Sequence, residues 1–334
     1  KPHIGHVLTR AMKDVIPRFK AMKGYYIYRK AGWDTHGVPV EVEVEKKLGF
    51  SGKKDIEHYG IDKFIQLCKS SVWEYKSMWE DLTKKIGYWV DMDNPYITYD
   101  NNYIESVFWA LKEMDKKGLI YQGHKVVPYC PRCGTSLSKA ELENGDNYKI
   151  LKENSVYVKF KSLEDDNTYF LVWTTTPWTL PSNVALCMNP NELYTKFTVD
   201  GTNFVMLDKL IPTLFDQPVK KLYSKKGYEF EGHKYQPLFD YVADEVEKGY
   251  FVTVDDYVTT EDGTGIVHIA PAFGEDDYKV ATKYGISFVQ LVDENGNMSD
   301  KTEFGGMFTK DADKYIVEKL KNSGKLFKVQ PIEH

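Results

Sequence analysis

Val172-Trp173-Thr174-Thr175-Thr176-Pro177-Trp178-Thr179-Leu180-Pro181-Ser182-Asn183 decides the reading of this 334-residue chain. The apolar run at 169–173 that leads into it reads as a strand. Three hydroxyl side chains follow in a row, and Pro177 and Pro181 then steer the chain around Trp178 and Thr179. A strand that stops at a cluster of small donors and acceptors, with prolines fixing its exit, is a way to build a site. Taken alone, it also reads as a threonine-rich edge followed by a polar loop, and composition favours that plainer reading.

A second stretch of similar texture comes later: Gly263-Thr264-Gly265-Ile266-Val267-His268-Ile269-Ala270-Pro271-Ala272-Phe273-Gly274-Glu275-Asp276-Asp277-Tyr278. It reads as a strand, a Pro/Gly loop and an acidic helix start. Acids are favourable at a helix N-terminus for structural reasons alone. A carboxylate there can equally meet a ligand ammonium. His268 closes an alternating strand and reads evenly as a core or a pocket residue. Both stretches belong to a β-rich region that starts near residue 150. Strand-like runs recur at 155–161, 169–173, 184–188, 193–199, 203–207, 250–254 and 265–269, separated by turns such as Asp165-Asp166-Asn167 and Asp200-Gly201. A helix at 310–322 and a returning strand at 326–332 close the chain.

Upstream the texture is helix and strand in alternation. His3-Ile4-Gly5-His6 opens an apolar pattern of helical period that Gly24 can end and Pro17 should bend. A helix start offers free N–H groups and a partial positive charge, and Gly5 admits close approach, so this end suits phosphate. His3 and His6 can donate to phosphate oxygens, although two histidines at this spacing are by themselves weak evidence. Residues 25–29 read as a strand leading to Gly32-Trp33-Asp34-Thr35-His36-Gly37, where Asp34 either caps a helix or holds an ammonium. Residues 55–92 read as helical, with Phe64, Ile65, Cys68 and Trp79 among those on a buried face. The helix at 101–117 carries Phe108 and Trp109, which read as core. A strand at 121–129 runs into Cys130-Pro131-Arg132-Cys133-Gly134, a turn that aims two thiolates at one metal. Without a second pair it is half of a zinc site, and two reduced surface cysteines are the alternative.

Net charge of −5, 42% hydrophobic and 28% charged residues describe a soluble globular chain with no overall basic field. Any nucleic-acid contact must therefore use a local patch. No apolar run approaches a membrane span, no secretory signal is visible, and four cysteines do not suggest a disulfide scaffold. These point to the cytoplasm. The opening at Lys1, directly inside a motif, suggests that residues precede it.

With those motifs in this order, the chain resembles the class I aminoacyl-tRNA synthetases of the isoleucine type. His3-Ile4-Gly5-His6 resembles the family's ATP signature, and the stretches at 32–37, 174–183 and 263–278 match in order. The valine and leucine relatives carry Arg after the paired threonines, where this chain has Thr176. The resemblance implies an α/β fold: the first part of a split Rossmann-type catalytic domain (1–149, with the zinc-knuckle half-site), an inserted β-rich editing domain (150–328) and a return toward the catalytic domain (329–334). It implies ATP-dependent charging of tRNA-Ile with isoleucine, with Mg2+ accompanying ATP. His3, Gly5 and His6 would serve ATP, and Asp34 the isoleucine amino group. Cys130 and Cys133 would be half of a Zn2+ site.

It also implies editing. Valine differs from isoleucine by one methylene, worth about 1–3 kcal/mol in a pocket, a figure for which this family is itself the standard illustration. A smaller second site would hydrolyse valine-charged tRNA. Asp277 would anchor the valyl ammonium. Thr174, Thr175, Thr176 and Asn183 would orient ester and water, and Thr179 and His268 would set the pocket's size. Ala272-Phe273 stands where many relatives carry Gly-His, and Lys-Met-Ser-Lys-Ser is absent. The expectation is a monomer with no membrane partner and an incomplete aminoacylation site. The competing readings are a valine- or leucine-type synthetase and a non-catalytic RNA- or zinc-binding module.

Overall fold

A computed structural model describes residues 2–143 and 148–333. Lys1 and residues 144–147, within the expected 1–149 domain, and His334, within the 329–334 return, lie outside the described residues. The chain is mixed α/β and divides into two compact units, Lys1–Gly123 and His124–His334.

The first unit runs α1 (Ile4–Met22), β1 (Lys30–Trp33), α2 (Val38–Leu48), α3 (Lys53–Tyr59), α4 (Ile61–Val72), α5 (Lys76–Lys85), β2 (Asp91–Ile97) and α6 (Asn101–Lys116). β1 and β2 pair in parallel. Several expectations shift here. The strand lies at 30–33 rather than 25–29, so Gly32 and Trp33 are inside it and Asp34 stands just past its carboxyl end. Gly32 is required there, because a Cβ would fall 2.0 Å from the Tyr96 ring of β2. α1 passes unbroken through Pro17. The helical span at 55–92 is cut at Gly60, whose φ of +105° no side chain tolerates well, and the expected turn at 93–96 lies within β2. The strand expected at 121–129 reduces to its last residue.

Burial in this unit differs more. Val44 and Phe64 are its only fully buried hydrophobic side chains among the described residues, and Ile65 and Met78 are exposed. Phe108 and Trp109, read as core, are 65% and 66% exposed. The apolar stripe of α1 faces outward, while its Asp14 is buried and paired with Arg18 and Arg29.

The second unit runs β3 (Tyr129–Cys130), β4 (Thr135–Ser136), α7 (Lys139–Leu142), β5 (Lys152–Lys161), β6 (Thr168–Thr174), β7 (Ala185–Met188), β8 (Leu193–Val199), β9 (Thr202–Leu207), α8 (Ile211–Leu214), β10 (Lys220–Lys226), β11 (Phe251–Val254), β12 (Ile266–Ile269), α9 (Glu275–Tyr284), α10 (Thr309–Asn322) and β13 (Leu326–Glu333). One sheet has the order β10-β8-β9-β6-β5-β13, and a second has β11-β7-β12. A core that includes Val158, Phe170, Val172, Leu186, Phe197 and Leu207 fills this unit. Apolar runs set between turns predict β5 to β9 and β11 to β13. β10 escapes, because Lys-Lys-Leu-Tyr-Ser-Lys-Lys reads as solvated surface, and it is in fact an exposed edge.

Candidate functional site

Two constellations form, one in each unit. In the first unit, the N-cap of α1 is His3, whose Nδ1 accepts from Gly5 N at 3.2 Å. Gly5 permits this fold-back, since a Cβ there would stand 3.0 Å from the His3 ring. His3 N in turn donates to His6 Nδ1 at 3.1 Å, and the two rings lie 3.7 Å apart. Both Nδ1 atoms are thus acceptors, so each neutral ring carries its proton on Nε2, the nitrogen left to meet a ligand. Burial, helped by His3 and Arg10, lowers the pKa of His6 and favours that neutral form.

Exposed Asp34 lines a cavity of about 380 Å³ with Trp33, Glu43, Tyr75 and Trp79. A neighbouring cavity of about 380 Å³ is lined by His6, Arg10, Lys13 and Lys30. Arg10, Gly32, Trp33 and Trp79 border both. An acidic, aromatic pocket joined to a basic one at a helix N-terminus suits an amino acid beside a phosphate chain. Sequence reasoning passed over Arg10, although it stands one turn after His6 on the same helix face.

The second constellation is denser. β6 ends at Thr174, and a 3-10 turn, Pro177–Ser182, follows Thr176. The bonding has a direction. Thr179 Oγ1 donates to Thr176 O at 2.8 Å, which uses its only proton. Its contacts with His268 Nε2 at 3.0 Å and with Thr176 Oγ1 at 3.2 Å must therefore both be accepted. His268 then carries its proton on Nε2. Thr176 spends its proton on Thr179, so the 3.3 Å contact with Thr174 Oγ1 is donated by Thr174. Thr176 N donates to Thr174 Oγ1 at 3.2 Å. The hydroxyls at 174, 176 and 179 form one relay that ends on a backbone carbonyl. What the relay leaves free is mostly acceptor: oxygen lone pairs and the buried His268 Nδ1, which has no partner among the described residues. Thr175 is half-buried, and its hydroxyl makes no hydrogen bond among the described residues.

Burial pushes His268 down to about 4, so it is neutral at pH 7. Burial pushes the Asp277 carboxyl up to about 6, opposed by the 2.9 Å bond it accepts from Ala270 N. Asp277 lies on the first turn of α9 and folds over Gly274, where a Cβ would stand 2.8 Å from its Cγ. Asn183 is the exception. Its Oδ1 accepts from Tyr235 Oη at 2.7 Å and its Nδ2 donates to Ala185 O at 2.8 Å. The side chain is committed to the core, and Tyr235 was not foreseen. Trp178 and Phe273 meet edge to face at 5.0 Å and line a cavity of about 580 Å³ with Tyr278, Phe288 and Phe308. Asn189, in the loop after β7, also lies off this group and donates to Asp256 O and Val258 O in the loop after β11.

Cys130 and Cys133 sit on the β3–β4 hairpin, closed by Gly134 N donating to Cys130 O at 2.8 Å. Arg132 Nη1 donates to Cys133 Sγ at 3.6 Å, while burial and the neighbouring Cys130 raise the Cys133 pKa. No group of three or more His, Cys, Asp or Glu side chains among the described residues can hold a metal. Two thiols fit half of a tetrahedral zinc site and do not complete one. Cys68 is half-buried, and Cys187 is buried with its thiol pushed up to about 12. No helix among the described residues is long and apolar enough to cross a membrane.

The family of class I tRNA synthetases (I, L, M and V) matches residues 1–188. The isoleucine–tRNA ligases of Clostridium novyi and Clostridium acetobutylicum are 52% and 51% identical to this chain over 335 residues, covering all of it and 32% of each relative. The chain thus spans about a third of the length of these curated relatives. The solved editing domain of the P. falciparum cytosolic leucyl-tRNA synthetase aligns with 53% of this chain and 99% of its own, at 13% identity and a TM-score of 0.44. The family match covers more than half of the residues and includes both His3-Ile4-Gly5-His6 and the threonine stretch, and the chain belongs to the class I tRNA synthetases of the isoleucine, leucine, methionine and valine group.

Proposed function

We propose that this chain serves an isoleucine–tRNA ligase, with part of the aminoacylation site in the first unit and a site hydrolysing valine-charged tRNA-Ile in the second. The observation that carries the editing half is the relay joining Thr174, Thr176, Thr179 and His268, whose unused hydrogen-bonding capacity is acceptor rather than donor. An aminoacyl ester brings an ammonium, and Asp277 supplies the opposing charge. Neutral His268 is no general acid at pH 7, and the Cys187 thiol is buried and protonated. The reaction is therefore direct attack of water on the ester carbonyl, aided by orientation. The C–O bond to the ribose breaks, releasing valine and tRNA. Thr174, Thr175 and Thr176 orient ester and water. Thr179 and His268 form the wall that meets the side chain, while Asn183 supports that wall from the core.

In the first unit, His3 and His6 donate from Nε2 to the phosphates of ATP, Gly5 gives them room, and Asp34 holds the isoleucine ammonium. Mg2+ offsets phosphate charge when bound with ATP. Cys130 and Cys133 would give two thiolates to a Zn2+, half of a tetrahedral ligand set. The protein acts as a cytoplasmic monomer. A charging assay with the intact protein tests this reading. Asp277→Ala is expected to let valyl-tRNA-Ile accumulate while isoleucine charging continues. Absence of valyl-tRNA from that variant removes Asp277 from the editing role.

A further inference from the structure

The 3-10 turn Pro177–Ser182 begins at Thr176, whose side chain does not cap it. An uncapped start leaves N–H groups without partners within the turn. One of them is satisfied from 135 residues away: Trp178 N donates to Asp313 Oδ1 at 2.8 Å. Asp313 lies on α10, which is anchored in the core through Ala312, Ile316 and Leu320. Lys310, on the same helix, pairs with Glu153 of β5 at 2.7 Å. The acceptor is therefore mounted on a rigid element. Asp313 is itself half-buried, and an ionised acceptor bonds an amide more strongly than a neutral one. The Trp178 ring meets Phe273 edge to face. Backbone and ring of one residue are thus fixed independently, within the turn that carries Thr176 and Thr179.

We propose that Asp313 is a positioning residue for the deacylation site: by receiving the Trp178 N–H it caps the turn from outside and holds the hydroxyls of Thr176 and Thr179 in register with His268. The inference rests on the editing reading above. Asp313 touches the turn's backbone and acts on the reaction only through it. Without the acceptor, Trp178 N must find another partner, and a shift of the turn by an ångström misaligns ester and water.

The test compares two substitutions in the intact protein, with pre-formed valyl-tRNA-Ile as substrate. Asp313→Asn keeps a carbonyl oxygen that can accept from Trp178 N, and Asp313→Ala removes it. The expected result is a kcat roughly 10- to 100-fold lower for Asp313→Ala with little change in KM. Asp313→Asn should stay within about threefold of the parent. A residue that serves stability alone would move Tm and leave kcat in place. Parental kcat for Asp313→Ala overturns the proposal, as does equal loss in both variants at unchanged Tm. If Asp313→Ala does not fold, Asp313→Asn decides alone: near-parental kcat upholds the proposal, and a loss beyond about tenfold at parental Tm overturns it. An inactive parent overturns the editing reading and this inference with it; an active parent indifferent to Asp313 overturns the inference only.

Discussion

The single proton of Thr179 sets the state of its neighbours. Because it goes to Thr176 O, His268 is held as the Nε2–H tautomer with Nδ1 left as a buried acceptor. Asp277, which accepts from Ala270 N just past β12, carries its charge at a cost. Its folded-state pKa is raised from 3.8 to about 6, so the folded chain binds that proton more tightly than the unfolded chain does. The cost of burying the charge is therefore full above pH 6 and is relieved as pH falls from about 6 toward 4. His268 has the opposite sign: its pKa is depressed from 6.5 to about 4, so its contribution is intact above pH 6.5 and is lost as pH falls through that window. Asp277→Asn keeps an oxygen for Ala270 N and removes the charge. It should stabilise the protein at pH 7 by of order 2 kcal/mol, and that advantage should vanish near pH 4. Calorimetric Tm values for both proteins from pH 4 to 7 check this. A constant offset, or a lower Tm at pH 7, contradicts the assigned burial of Asp277.

At the scale of elements, the site depends on β12 lying close against its neighbours. Gly265 precedes β12 at φ +70°, with room for no Cβ, since one would stand 2.5 Å from Leu207 Cβ. Gly201 has nearly the same φ, +76°, at a turn with open space around it. Gly201→Ala should cost about 1–2 kcal/mol from backbone strain alone. Gly265→Ala adds overpacking and should cost roughly 2–5 kcal/mol. Urea denaturation of the two variants measures the difference, and equal costs would refute the close packing of this strand. The elements differ in how far the sequence reveals them. Seven strand runs of the second unit are legible because their apolar residues are buried and turns separate them. Thr174, Thr176, Thr179 and His268 are legible as a group, although only the fold shows that they bond to one another. Asn183 looks like a site residue by position, yet Tyr235 draws it into the core. Asp313 is invisible in sequence, since one carboxylate among many charged helix residues carries no signal. In α1 and α6 the helical period is legible, but the period does not say that the apolar face is covered.

Across the whole molecule, the two units differ in how they are built. The second has an extensive apolar core between and around its sheets, including Val158, Leu171, Leu186 and Phe197 with no exposure. The first holds few buried apolar side chains among the described residues and is joined largely by ion pairs and aromatic edges, such as Asp14 with Arg18 and Arg29, and Trp33 on Trp73. Chemistry follows the same division. One unit presents histidines at a helix start, with Arg10 and Lys13 further along that helix; the other presents hydroxyls, a neutral imidazole and a half-buried carboxylate. On the proposed function, the first set would meet phosphate and the second an ammonium-bearing ester. If that proposal holds, selectivity between isoleucine and valine would draw on both. The most direct measurement is therefore hydrolysis of pre-formed valyl-tRNA-Ile and isoleucyl-tRNA-Ile by the intact protein, followed side by side. Rapid release of valine and survival of the isoleucyl ester are expected; survival of both esters, or equal loss of both, would contradict the proposed function.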